Sequence, residues 1–240
     1  MDENEKASGE RALMPSFDLQ IFISVLHFFL MRGIILMSDF IIFEVFMKDI
    51  TSYFSLPLES MEEKPISSTA IFDGKVLHVR LDGITLPNGE RATREYCHHN
   101  GAVCVIPVTD NREIVCVRQY RYPFHEALLE IPAGKLDTPD EDPTSAAIRE
   151  LREETGAVCE KLTYMGLYYP SPAILDEKIY MYMAEGLTFG ETDFDEDEFL
   201  EILKIPVDEL KDAVLNGRIK DGKTQAAVLR AWMSLASREN

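Results

Sequence analysis

The stretch R-E-L-R-E-E-T-G, Arg149 to Gly156, decides how the rest of the chain is read. At roughly 100° of rotation per helical residue, Ile148, Leu151 and Thr155 share one side, while Glu150, Glu153 and Glu154 gather at i, i+3 and i+4. Like charges at that spacing repel. Such a helix gives up stability unless a cation, or pairing with Arg149 and Arg152, offsets them. Asp142 supplies an N-cap, Pro143 the first helical position and Gly156 the stop, so the pattern predicts a helix over 143–155. A solvated acidic face is the bland alternative. Against it, the acids follow a Pro-Ala-Gly break at 132–134 and the loop GKLDTPDED, from which Glu141 can also approach. Hard divalent cations such as Mg²⁺ take oxygen ligands of this kind, and a carboxylate cluster carrying Mg²⁺ most often serves phosphate chemistry.

Outward from that helix, alternation and turn chemistry give a coarse map. Two strands are expected between Ser67 and Leu86 around Asp73-Gly74, and PNG at 87–89 is a turn before the strand ATREYC. GAVCVIPV and EIVCVRQYRY read as apolar strands joined at Thr109 to Arg112, and ALLEIPAG as one shorter strand. After the helix come strands at KLTYMGLYY and EKIYMYMAE, the acidic loop 191–198, the strand FLEILKI, and two helices, VDELKDAVLNG and KTQAAVLRAWMSLA. Strands mixed with three helices make a layered α/β or α+β domain.

The 24 basic and 42 acidic residues give a formal net charge of −18, which argues against nucleic acid or an anionic membrane surface as partner. Four cysteines, at 97, 104, 116 and 159, have neither metal-ligand spacing nor disulfide density, which suits a reducing cytoplasm. The first sixty residues are of another kind. Leu19 to Met47 is rich in Phe, Ile and Leu, yet Arg32 ends the apolar run after the eleven residues Ile21 to Met31, and Asp39, Glu44 and Asp49 follow. A membrane span needs about 18 or more clean residues, and the net-acidic start does not suit a signal peptide. A weak anchor, a partner-binding extension and upstream translation outside the functional protein remain open for residues 1–60. The domain proper is taken as 61–240.

Gly134, Glu141, Arg149, Glu150, Leu151, Glu153, Glu154, Gly156 and Ala157 resemble the Nudix box, G-x5-E-x7-R-E-U-x-E-E-x-G-U, with one extra residue between Gly134 and Glu141. RQYRYP (118–123), LLEIPAGKLD (128–137), Pro172, the loop SPAILDEKIY and IKDGKT (219–224) resemble the ADP-ribose pyrophosphatase branch of that family. The resemblance implies a Nudix-type α/β/α sandwich with a mixed sheet, preceded by an antiparallel strand region. It implies a homodimer and cleavage of a nucleoside diphosphate derivative, ADP-ribose first, to AMP and ribose 5-phosphate. Sugar nucleotides, dinucleotides and coenzymes are the neighbouring substrates. A non-catalytic ADP-ribose sensor is the alternative of a different class, and the intact glutamates disfavour it.

By the same resemblance the Ala133 carbonyl, Glu150 and Glu154 are ligands of Mg²⁺ (or Mn²⁺), and Glu153 shares or orients a second ion. Arg149 braces Glu141 or Glu153 by bidentate pairing. Glu177, outside the helix, orders or deprotonates the attacking water. Arg118 and Arg121 are candidates for the diphosphate or terminal ribose, and Tyr120 or Tyr122 for stacking on adenine, although strand alternation lets only one pair face the site. Glu130 looks buried and needs a polar partner or a ligand. Cys97-His98-His99 lacks the further ligands a zinc site requires, and Asp195 to Glu198 reads as a solvated loop.

Overall fold

The computed structural model describes residues 60–194 and 198–238. The expectations for residues 1–59, and for Asp195 to Asp197 of the acidic loop, lie outside the described residues. The chain falls into two units that divide between Glu62 and Glu63.

The second unit begins with an antiparallel meander: β1 (Lys64–Asp73), β2 (His78–Thr85) and β3 (Arg91–His98). The PNG turn is built as its residues dictate. The Gly89 N–H donates to the Leu86 carbonyl at 2.9 Å, and the Glu90 N–H donates to Asn88 Oδ1 at 3.0 Å. Next come β4 (Ala102–Pro107), β5 (Glu113–Arg121), β6 (Glu126–Glu130) and β7 (Ala133–Lys135). Helix α1 (Pro143–Thr155), strands β8 (Ala157–Tyr168), β9 (Ile179–Phe189) and β10 (Leu200–Pro206), and helices α2 (Val207–Leu215) and α3 (Gly222–Ala236) complete the order.

β4 is the centre of a mixed sheet ordered β7-β4-β9-β8, in which it runs parallel to β9 and antiparallel to β7. All six of its residues are buried, as expected of a strand covered on both faces. Its alternate side chains split the core in two. Cys104 and Ile106 join Leu210, Ala227, Val228 and Ala231 of α2 and α3, while Val103 and Val105 join Ala146, Ala147 and Leu151 of α1. Helices therefore cover both faces, and the α/β/α sandwich with a preceding antiparallel region is what the structure contains. β5 lies in a second, antiparallel sheet ordered β10-β5-β6.

Two elements differ from the sequence-based map. ALLEIPAG is not one strand but two, in different sheets: β6 pairs with β5, and β7 pairs with β4. Pro132 has no N–H to give a ladder, so the chain changes sheet there. Its carbonyl still accepts the Val105 N–H at 2.9 Å, and the Ile131 N–H goes to Thr224 Oγ1 at 3.0 Å. Likewise β8 begins at Ala157 rather than near Lys161. Gly156, at φ 67°, ends α1 and sends the chain straight into the strand, and a Cβ there would meet the Gly190 carbonyl oxygen at 2.4 Å.

Candidate active site

Helix α1 is held at both ends by its own sequence. Asp142 accepts the Ser145 N–H at 3.0 Å and the Ser145 hydroxyl at 2.9 Å, and the Gly156 N–H closes on the Arg152 carbonyl at 2.8 Å. With the caps fixed and Leu151 fully buried, rotation of the helix is set, and Glu150, Glu153 and Glu154 face a cleft of about 930 Å³. Ala133, Gly134, Gln119, Arg121, Glu177 and Lys223 supply other parts of its wall.

The acids are not equivalent. Glu154 is only 4% exposed, and its Oε2 accepts the Ala133 N–H at 3.1 Å. Burial pushes its carboxyl up to about 8; the Ala133 N–H works against that shift, and the Glu150 and Glu198 charges add to it. Burial raises Glu150 as well, opposed by Arg149. Arg149 ties the cluster together: Nη1 donates to Glu150 Oε1 at 2.7 Å and Glu153 Oε2 at 3.2 Å, and Nη2 donates to Glu141 Oε1 at 3.3 Å and the Lys135 carbonyl at 3.2 Å. Glu141 is anchored in turn by the Asp137 N–H at 2.6 Å. Burial alone would lower the Arg149 pKa, but its carboxylate partners overcome this and raise it.

The donor set suits a divalent cation. Three carboxylates are oxygen donors of the hard type, and burial disfavours the charged form of two of them, a penalty that a bound dication would offset. The wall opposite is bare backbone. A Cβ on Gly134 would stand 1.9 Å from the Glu150 carboxyl carbon, so only glycine lets that carboxylate lie where it does. Among the described residues no three His, Cys, Asp or Glu side chains are already gathered to hold a metal ion; Arg149 engages Glu150 and Glu153 instead.

These positions follow a pattern with known relatives. The NUDIX domain family profile matches residues 98–230. The chain belongs to the Nudix family. It is 43% identical over 70% of its length to a Bacillus methanolicus protein named methanol dehydrogenase activator, of which it covers 91%. It is 40% identical over 71% of its length to the ADP-ribose pyrophosphatase of Bacillus subtilis, of which it covers 93%. The crystal structure of an ADP compounds hydrolase superposes with a TM-score of 0.65 at 21% identity, over 74% of this chain and 96% of that one, which is a likeness of fold.

Not every candidate of this Nudix domain reaches the cleft. On β5, Gln119 and Arg121 line it, while Arg118 and Tyr120 do not, because successive strand residues face opposite ways. Arg118 pairs instead with Glu201 on β10 at 2.8 Å, and Tyr120 is 55% exposed. Tyr122 follows in a 3₁₀ turn and is also largely exposed. Glu130 is buried as expected but does not line the cleft, so it is not placed to touch substrate. Its two oxygens take Arg121 Nε at 2.6 Å and Nη2 at 2.7 Å, and one of them also takes Lys223 Nζ. Burial would raise its pKa, yet Arg121 and Lys223 hold it below the ordinary carboxylate value.

Glu177 stands on the wall formed by the loop after β8, and that loop is fastened to β3. The Cys97 N–H donates to the Ile174 carbonyl at 2.9 Å, the His99 N–H to Asp176 Oδ1 at 2.7 Å, and His98 Nδ1 lies 2.7 Å from Asp176 Oδ2. His99 Nδ1 accepts the Gly101 N–H at 3.0 Å and is 3.6 Å from Glu177 Oε1. The two histidines thus serve the Glu177 loop. Sequence reasoning missed Gln119, His99, Lys223 and Glu198 as parts of the cleft. Gln119 follows from Arg121 by strand alternation; the others depend on distant parts of the chain coming together.

Proposed function

We propose that this chain is a divalent-cation-dependent pyrophosphohydrolase that cleaves ADP-ribose to AMP and ribose 5-phosphate. The observation that carries the reading is the two-sided chemistry of one cleft: Glu150, Glu153 and Glu154 on one wall, with Arg121 and Glu177 on others. The identity to an ADP-ribose pyrophosphatase supports the substrate. Glu150, Glu154 and the Ala133 carbonyl would hold Mg²⁺ or Mn²⁺, with Glu153 sharing a second ion. When bound, the cation neutralises phosphoryl oxygens and lowers the pKa of a water.

The chain's own groups do the rest. Arg121 offers the guanidinium edge that Glu130 leaves open to the non-bridging oxygens of the diphosphate. Glu177 takes a proton from the attacking water as its oxygen bonds to one phosphorus, and the bridging oxygen departs with the other phosphoryl group. Arg149 keeps Glu150 and Glu153 from splaying under mutual repulsion, aided by Glu141.

We further infer a homodimer in a reducing cytoplasm, with residues 61–240 as the catalytic domain. Ile66, Ile71 and Phe72 on β1 and Val76 and Leu77 in the following turn are each more than half exposed, an apolar surface suited to a second copy. All four cysteines are free thiols, and no helix among the described residues is long and apolar enough to cross a membrane. The test of substrate is a panel of ADP-ribose, sugar nucleotides, dinucleotides and coenzymes with Mg²⁺, with Glu154→Gln as control. ADP-ribose is expected to have the highest kcat/KM, and absence of turnover on every member would leave only the sensor reading.

A further inference from the structure

Lys223 is an odd residue for its place. It is the second residue of α3, where the helix dipole disfavours a cation, and its side chain is only 11% exposed. An apolar side chain of similar volume would pack there without either penalty, and replacing buried ion pairs in that way is often neutral or stabilising. Instead Lys223 is held charged by two carboxylates, Glu130 Oε2 and, at 3.1 Å, Asp221 Oδ1. Burial opposes the charge, but Glu130 and Asp221 prevail and raise the pKa of the amine.

The cluster leaves hydrogen-bonding capacity over. An ammonium has three donors, and among the described residues Lys223 has two partners. Arg121 uses Nε and Nη2 on Glu130, so its Nη1 has no partner among the described residues. Both side chains line the cleft, and both interact electrostatically with Glu154 of the acidic wall. Glu130 itself is 2% exposed and reaches the cleft only through these two cations.

We propose that Lys223 binds the substrate's diphosphate beside Arg121, and that Glu130 is a positioning residue aiming both cations at it. This rests on the diphosphate reading of the cleft. One carboxylate with two cations fixes their spacing before the anion arrives, so less side-chain freedom is lost on binding. Asp221 adds a second restraint while capping α3, accepting the Thr224 N–H at 2.9 Å.

The test is a titration of the full chain, with Mg²⁺, by methylenediphosphonate, a diphosphate that cannot be hydrolysed. Lys223→Met is expected to weaken binding about tenfold or more, the size of one lost charge-assisted hydrogen bond, and Lys223→Arg to recover most of the loss. Glu130→Gln should weaken the diphosphonate in the same sense and raise KM by a larger factor than it lowers kcat. A folded Lys223→Met protein that binds as tightly as the unmutated one overturns the proposal. Should that variant not fold, the ¹⁵Nζ resonance of Lys223 in the unmutated protein decides: it shifts on saturation with diphosphonate, and an unmoved resonance overturns the proposal. Because the probe has neither adenosine nor ribose, a wrong choice of ADP-ribose as substrate leaves this test intact.

Discussion

Replacing Glu154 by Gln should stabilise the metal-free protein while removing its activity. Glu154 is 4% exposed, and burial moves its carboxyl from 4.5 to about 8. A folded-state pKa above the unfolded one means the folded protein holds the proton more tightly. Stability from this group is therefore fully present below pH of about 4.5 and is lost progressively as pH rises to about 8. At about 1.4 kcal/mol per pH unit, the full loss approaches about 5 kcal/mol, and relaxation with water penetration brings the expected figure to about 2–3 kcal/mol. Gln keeps the shape and can still accept the Ala133 N–H, so Glu154→Gln should lift Tm at pH 8.5 by about 5–10 °C in chelator, with little change at pH 5. Mg²⁺ should then raise the Tm of the unmutated chain and not that of the variant. Thermal unfolding at several pH values, with and without Mg²⁺, reads all of this. A variant less stable than the unmutated chain at pH 8.5, with an unchanged pH slope, would refute the reading that burial disfavours the charged Glu154 carboxylate.

Gly134→Ala places a Cβ against the Glu150 carboxylate, so Mg²⁺ affinity and kcat should fall by about 100-fold, an effect of the size seen when groups around a metal are disturbed; titration calorimetry and turnover check it. Arg149→Lys loses the forked contact to Glu141, Glu150 and Glu153, and steady-state kinetics should show kcat down about 10- to 100-fold. Glu177→Gln should lower kcat by about 10²- to 10⁴-fold with KM nearly unchanged, as expected for loss of a general base. Arg121→Ala should raise KM, while Arg118→Ala and Tyr120→Ala, whose side chains do not line the cleft, should stay within about twofold of the unmutated kcat/KM; a large loss at Arg118 would show that the β5 register misleads.

What could be read in advance was whatever the chain writes locally. Helix α1 was legible to the residue because Asp142, Pro143 and Gly156 fix its ends by chemistry within a few positions. The clustering of Glu150, Glu153 and Glu154 followed from helical period alone. The split of ALLEIPAG was less visible: Pro132 marked a break, but not that the two halves belong to different sheets. On RQYRYP alternation divided the residues into pairs, and only the folded chain, by turning one face of β5 to the cleft, chose Gln119 with Arg121 over Arg118 with Tyr120. Lys223 was illegible. In sequence it stands within the IKDGKT helix entry with no role attached, and it becomes part of the cleft because Thr224 Oγ1 takes the Ile131 N–H and docks α3 against the end of β6.

The most direct test of the central claim is the fate of ADP-ribose with Mg²⁺ and the full chain, followed by separation of the products. AMP and ribose 5-phosphate should appear in equal amounts, at a rate that falls to background in chelator and with Glu154→Gln. Turnover that persists undiminished in the Glu154→Gln protein, or products other than this pair, would contradict the account.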